Sequence, residues 1–214
     1  MTLLEEIKKN KIIAIIRGIP SESMIKLADA LYAGGIVMME VTFDQKSREG
    51  IEETLTSLAC LSGKRADQVL VGAGTVLTPE QVRLACEAGA KYIITPNVNA
   101  DVIAQAKRCQ MTVMAGAYTP TEIEQAYRFG ADIVKVFPSG VAGADYIKAV
   151  RGPLAHIPLA AVGGVDVGNI QDFFKAGVCS VGVGGCLVNK KEIEKGNFGW
   201  ITEKAKEFVG KLPV

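Results

Sequence analysis

Three charged side chains sit where charge is costly. Lys135 lies within ADIVKVFPSG (131–140), among Ile133, Val134, Val136 and Phe137. Taking an ammonium out of water is unfavourable unless it is paired or loses its proton. Lys135 therefore either pairs with a carboxylate or stands as a desolvated amine of lowered pKa, able to attack a carbonyl and form a Schiff base. Glu40 stands inside the equally apolar MMEVTF (38–43). It suits an ion pair with Lys135 or Arg17, or general acid–base work beside an imine carbon. Both roles can coexist, because pairing also tunes pKa values. Arg17 closes KIIAIIR (11–17) and suits either a bidentate carboxylate anchor or plain packing at a strand end. Pro96 and Phe137 offer apolar walls that exclude water. Gly163-Gly164 and Gly184-Gly185 each end a later apolar run, and backbone N–H groups in such turns can cradle an anion.

These residues need elements to position them. Apolar runs recur at 11–17, 36–43, 69–76, 92–97, 112–117, 132–138, 158–164 and 179–185. They are continuous rather than alternating, as expected of parallel strands covered on both faces. Between them lie helical stretches. Thr78-Pro79-Glu80-Gln81 and Thr119-Pro120-Thr121-Glu122 read as capping boxes with proline at the first helical position. AGGIV, AGAKY, FGADI and AGVCS each mark a helix end by glycine, with a strand following at once. This repeat of helix, glycine and strand implies βαβ units. Eight strands fit one compact (β/α)8 TIM barrel over 1–214, with 1–10 as an extra N-terminal helix. An open doubly wound sheet is the alternative. In a barrel, the polar residues at the strand C-termini are Arg17, Glu40, Thr42, Thr75, Asn97 and Lys135, where barrel active sites form. Gly72 and Gly74 in VGAGTV read as turn or close-packing glycines, because GAG lacks dinucleotide-fingerprint spacing.

Composition narrows the partners. The chain has 214 residues, 49% hydrophobic and 22% charged, with a formal net charge of +1. That balance suits a folded globule and gives no basic field for nucleic acid. The stretch KEIEKGNFGWITEKAKEF reads as a solvated helix face. No segment approaches the ~20 apolar residues of a membrane span, and MTLLEEIKKNK does not read as a signal peptide. Five cysteines without CxxC spacing point away from a disulfide framework and towards a reducing cytoplasm. A single histidine, His156, excludes a histidine-rich metal site within one chain.

Taken together, IIAIIRG, AGGIVMMEVTF, VGAGTVLTPEQ, ITPN, TPTE, VKVFPSG, AVGGV and VGVGG resemble the bacterial 2-keto-3-deoxy-6-phosphogluconate aldolase / 4-hydroxy-2-oxoglutarate aldolase family over nearly the whole chain. The resemblance implies a class I aldolase that needs no metal or cofactor, acts on a phosphorylated keto-deoxy sugar acid with pyruvate as product, and assembles as a homotrimer. It further implies that Lys135 is the Schiff-base lysine and Glu40 the proton shuttle. Thr75, Pro96 and Phe137 would line the pyruvate pocket, Arg17 would lie near the substrate carboxylate, and Gly163, Gly164, Gly184 and Gly185 would bind phosphate. Three positions depart from the common pattern. Asp44 stands where many members carry arginine, leaving Arg17 to hold the carboxylate alone. Val162 replaces a threonine linked to stereochemical choice, in an AVGGV resembling members that act on the galactonate epimer. Cys186 replaces a phosphate-side serine. Two other readings are a sugar-phosphate epimerase or isomerase, and a barrel that binds sugar phosphate without turning it over.

Overall fold

The computed structural model describes residues 2–213. In chain order its elements are α1 (Leu3–Asn10), β1 (Ile12–Ile16), α2 (Met24–Ala33), β2 (Met38–Thr42), α3 (Arg48–Lys64), β3 (Leu70–Gly74), α4 (Pro79–Glu87), β4 (Tyr92–Ile94), α5 (Ala100–Arg108), β5 (Thr112–Ala117), α6 (Pro120–Arg128), β6 (Ile133–Val136), α7 (Ser139–Ala142), α8 (Ala144–Arg151), β7 (Leu159–Val162), α9 (Ile170–Lys175), β8 (Ser180–Val183), α10 (Lys190–Glu194) and α11 (Phe198–Val209). Every strand pairs in parallel with its sequence neighbours. β1 also pairs with β8, Ile13 opposite Gly182, so the sheet closes and the open doubly wound alternative is excluded.

The continuous apolar runs follow from burial on both strand faces. Outward-facing residues such as Ile12, Ala14, Val71 and Val134 join the shell beneath the helices. Inward-facing Ile13, Met38, Tyr92, Ile94, Met114, Ile133 and Ala160 fill the barrel, and Ile7 of α1 plugs its lower end. The N-terminal helix thus completes the core rather than decorating it. Each foreseen helix-ending glycine turns the chain with a left-handed φ: Gly35, Gly89, Gly130 and Gly177 lie at +89°, +91°, +103° and +96°.

Two local readings need correction. The Thr119 box is complete, with Glu122 returning to the Thr119 N–H. The Thr78 box is half formed: Thr78 Oγ1 accepts from Gln81 N–H, but Gln81 Oε1 reaches one residue further back, to Leu77 N–H at 2.8 Å. The C-terminal tail is solvated on one face only. Ile201, Ala205 and Phe208 of α11 are buried, and Gly34 at the end of α2 lets α11 approach, since a Cβ there would stand 2.3 Å from the Ala205 Cβ.

Candidate active site

Side-chain size sets where the barrel opens. Ile15, Glu40 and Gly72 align across β1, β2 and β3, and Gly116, Lys135 and Ala160 across β5, β6 and β7. Lys135 thus has glycine and alanine beside it, and its stem has room to extend. Glu40 and Lys135 enter from β2 and β6, on opposite sides of the barrel. Both are nearly sealed from outside solvent, at 2% and 6% exposure, yet both line a cavity of about 680 Å³ at the C-terminal end of the strands.

Glycine lets large side chains pack beneath and beside that cavity. A Cβ on Gly74 would fall 1.7 Å from Glu40 Oε1, and one on Gly72 would fall 2.1 Å from the Tyr92 ring. These are close-packing glycines, and Gly74 sets where the Glu40 carboxylate can lie. Gly74→Ala is expected to keep the fold, because the colliding atoms end a flexible side chain. It should swing the carboxylate aside and lower turnover by roughly 10²-fold, the scale of losing a positioned proton carrier. Circular dichroism and steady-state rates check this; unaltered rates would show that the carboxylate's place does not matter.

No ion pair within 4.0 Å joins Lys135 to Glu40 or Arg17 to Glu40 among the described residues, so the simple ion-pair reading is not realised. Burial pushes the Lys135 ammonium below the usual lysine range; Glu40 partly restores it and Arg17 lowers it further. Burial likewise pushes the Glu40 carboxyl up, opposed by Lys135 and Arg17. The environment thus shifts Lys135 towards its neutral amine and lets Glu40 keep its proton longer than usual. Lys135 Nζ also lies 4.8 Å from the centre of the Phe137 ring.

Most of the anticipated residues converge here. Arg17, Thr75, Pro96, Phe137, Val162, Gly163, Gly164, Gly184 and Gly185 all line the cavity with Glu40 and Lys135. Arg17 Nη2 donates to Thr75 Oγ1 at 3.1 Å. Gly116 admits Pro96, because a Cβ there would meet the Pro96 carbonyl carbon at 2.3 Å. Val162 is pinned through its N–H, which donates to Ser139 Oγ at 3.0 Å; that hydroxyl in turn donates to Val136 O at 2.6 Å. Gly163 and Gly164 adopt left-handed φ of +84° and +78°. Gly184 and Gly185 do not, and an added Cβ at either would meet nothing within 4 Å. There glycine provides open room against exposed backbone, the form of an anion cradle.

Other residues fall elsewhere. Thr42 Oγ1 donates to Ile16 O at 3.3 Å, and Asn97 contributes its carbonyl to Thr95 Oγ1; neither lines the main cavity. Asp44 also turns away. Its carboxylate accepts from Lys46 N–H at 3.0 Å and packs against Gly50 of α3, so this departure puts no negative charge into the main cavity. Ile15, Val165 and Gly182 complete the lining beyond the candidates drawn from the sequence. The first was legible from strand parity, since Ile15 and Arg17 point the same way. Cys186, the replaced serine, lies at the rim and donates to Val165 O at 3.3 Å. Among the described residues, no three His, Cys, Asp or Glu side chains are grouped to hold a metal ion, and no helix is long and apolar enough to cross a membrane.

Comparison with known proteins gives the same direction. The family model for KDPG and KHG aldolases matches residues 3–204. The 2-dehydro-3-deoxy-6-phosphogalactonate aldolase of Escherichia coli K12 is 36% identical over 180 residues, 84% of this chain and 85% of that protein. The 2-dehydro-3-deoxy-phosphogluconate aldolase of Haemophilus influenzae is 30% identical over 208 residues, 97% of this chain and 95% of that protein. A KDPG aldolase from Legionella pneumophila, solved with pyruvate captured as a covalent carbinolamine, superposes with a TM-score of 0.86 at 26% identity, covering 96% of this chain and 97% of that one. A closed barrel with an inward lysine and glutamate, matched over this length, leaves one assignment: the chain belongs to the KDPG and KHG aldolase family of carbon–carbon lyases.

Proposed function

We propose that the protein catalyses reversible retro-aldol cleavage of 2-keto-3-deoxy-6-phosphogluconate to pyruvate and glyceraldehyde 3-phosphate. The observation that carries the reading is the pairing of a buried amine and a buried carboxyl, from opposite strands, in one cavity that ends on two glycine turns. Lys135 Nζ attacks the C2 ketone to give a carbinolamine. Glu40, through water, supplies the proton with which hydroxide leaves, forming the iminium. Glu40 then takes the C4 hydroxyl proton. The C3–C4 bond breaks, its electrons pass into the iminium as an enamine, and the aldehyde departs. Return of the proton to C3 and hydrolysis free pyruvate and the amine. Arg17 and Thr75 hold the substrate carboxylate, Pro96 and Phe137 shut out water, and the turns at Gly163-Gly164 and Gly184-Gly185 take the phosphate. The same site serves 4-hydroxy-2-oxoglutarate as a second substrate. The protein works as a homotrimer in the cytoplasm, a compartment that suits its free cysteines. Its 1–214 chain acts as one domain.

A second reading keeps the chemistry and changes the epimer. Val162, whose side chain faces Gly182 at the cavity wall, and the 36% identity to a phosphogalactonate aldolase favour activity on the 6-phosphogalactonate epimer. Borohydride trapping with pyruvate separates aldolase from epimerase, isomerase or binding protein: the aldolase gains a stable mass adduct, and the others gain none. Cleavage rates on the two epimers, measured side by side, decide between substrates. Val162→Thr adds a hydroxyl at the cavity wall and is expected to shift their ratio toward the gluconate by about tenfold, the scale of one added hydrogen bond. An unmoved ratio would remove position 162 from the account of stereochemistry.

A further inference from the structure

Thr75 has a conformation that its side chain disfavours. Its φ is +55°, in the left-handed region that β-branched residues avoid, and it lines the cavity beside Arg17. Its neighbours are held by backbone bonds: Gly74 O accepts from Phe43 N–H at 2.8 Å, and Val76 N–H donates to Ile94 O at 3.3 Å. The Thr75 carbonyl itself is held by a side chain, accepting from Gln45 Nε2 at 2.7 Å. Gln45 Oε1 in turn accepts from Gln81 Nε2 at 2.8 Å, and Gln81 Oε1 accepts from Leu77 N–H at 2.8 Å.

Both ends of this chain are backbone, so its direction is determined. The Thr75 carbonyl can only accept, so Gln45 must present nitrogen to it. Gln45 oxygen then faces Gln81, which must present nitrogen, and the Gln81 oxygen meets an N–H that can only donate. Gln81 is 6% exposed, and both ends of its amide are satisfied here. At the far end, Thr75 Oγ1 receives Arg17 Nη2. Arg17 and Thr75 also line a side pocket of about 270 Å³ with Asp44 and Gln45. An Arg17 freed from Thr75 therefore has that side pocket open to it and is no longer held at the main cavity.

We propose that Gln45 is a positioning residue for the carboxylate end of the substrate. It lies outside the main cavity and acts by clamping Thr75 in its left-handed conformation, which fixes the Arg17 guanidinium. The proposal rests on the aldolase reading above and deepens it.

The test uses the full chain, with pyruvate and acetone as probes and borohydride trapping on the lysine as readout. Acetone offers the same carbonyl carbon without a carboxylate. In Gln45→Ala the pyruvate concentration for half-maximal trapping is expected to rise by roughly tenfold, with the limiting rate changed by less than about twofold, the signature of lost binding rather than lost chemistry. Trapping of acetone is expected to stay at the wild-type level. In a Thr75→Asn background, where the left-handed conformation is tolerated, Gln45→Ala is expected to cost much less. An unchanged pyruvate dependence in Gln45→Ala would overturn the proposal, as would equal losses on pyruvate and acetone, which would indicate general damage to the site. If the wild-type protein traps no pyruvate, the aldolase reading itself fails, and this role fails with it.

Discussion

Lys135→Met is expected to abolish cleavage, with a loss in kcat/KM of about 10⁴-fold or more, the order seen when a covalent nucleophile is removed. Methionine keeps the length and apolar character of the stem, so the barrel should stay intact. Intact-mass spectrometry after borohydride trapping is expected to show one pyruvate adduct on the wild type and none on the variant. Any pyruvate adduct that persists in Lys135→Met would place the Schiff base elsewhere. The same variant should report on stability. Burial lowers the folded-state pKa of Lys135, so its charged form opposes folding at every pH below the ordinary lysine value. That penalty is fully present below the folded pKa and disappears as pH rises past the unfolded one. In the variant, Glu40 loses the cation that favoured its ionised form, which weighs against it at higher pH. Both effects have one sign. Tm for Lys135→Met is expected to exceed wild type at mildly acidic pH, by about 2–4 °C for each kcal/mol relieved, and the margin should narrow as pH rises. A margin that widened with pH would contradict the buried-charge account.

Glu40→Gln is expected to lower kcat by roughly 10²–10⁴-fold, the usual contribution of a placed general acid–base, while leaving Lys135 able to capture pyruvate slowly. Its pH dependence is the sharper measurement. Glu40 holds the Lys135 pKa up against burial. With a neutral amide in its place, the lysine should lose its proton at lower pH. The midpoint of the rise in trapping rate with pH should therefore move down in Glu40→Gln. A midpoint that stayed in place, or moved up, would mean that the two groups do not sense each other across the barrel.

The local pattern was informative wherever a residue's surroundings lie close in the chain. Strand positions followed from apolar runs of the right length; 112–117 matches β5 at both ends, and the other runs exceed their strands by a few residues at most. Capping threonines and helix-ending glycines act over three or four residues, and they stood where expected, apart from the Gln81 side chain. In the structure Glu40 shares its face with inward Met38 and Lys135 with inward Ile133, since alternate residues share a face. The repeating βα pattern then supplied a barrel and the end at which its site must lie.

Only the tertiary structure decided what depends on distant parts of the chain. Closure rests on β1 meeting β8, and strand period alone does not distinguish a closed sheet from an open one. Arg17 reaches Thr75 across 58 residues, and Gln45 reaches Gln81 across 36; no spacing rule connects them. The sequence shows that Asp44 cannot hold a carboxylate, but only the structure shows its own carboxylate folded onto Lys46 N–H, outside the main cavity. Thr42 shares the polar character of the cavity residues, yet its hydroxyl donates to Ile16 O and it does not line the main cavity. Residue type and periodicity determined by themselves which groups could react and on which elements they ride. The packing of eight strands around glycine-lined space determined which of those groups meet, because a side chain's direction is set by neighbours that folding alone brings near.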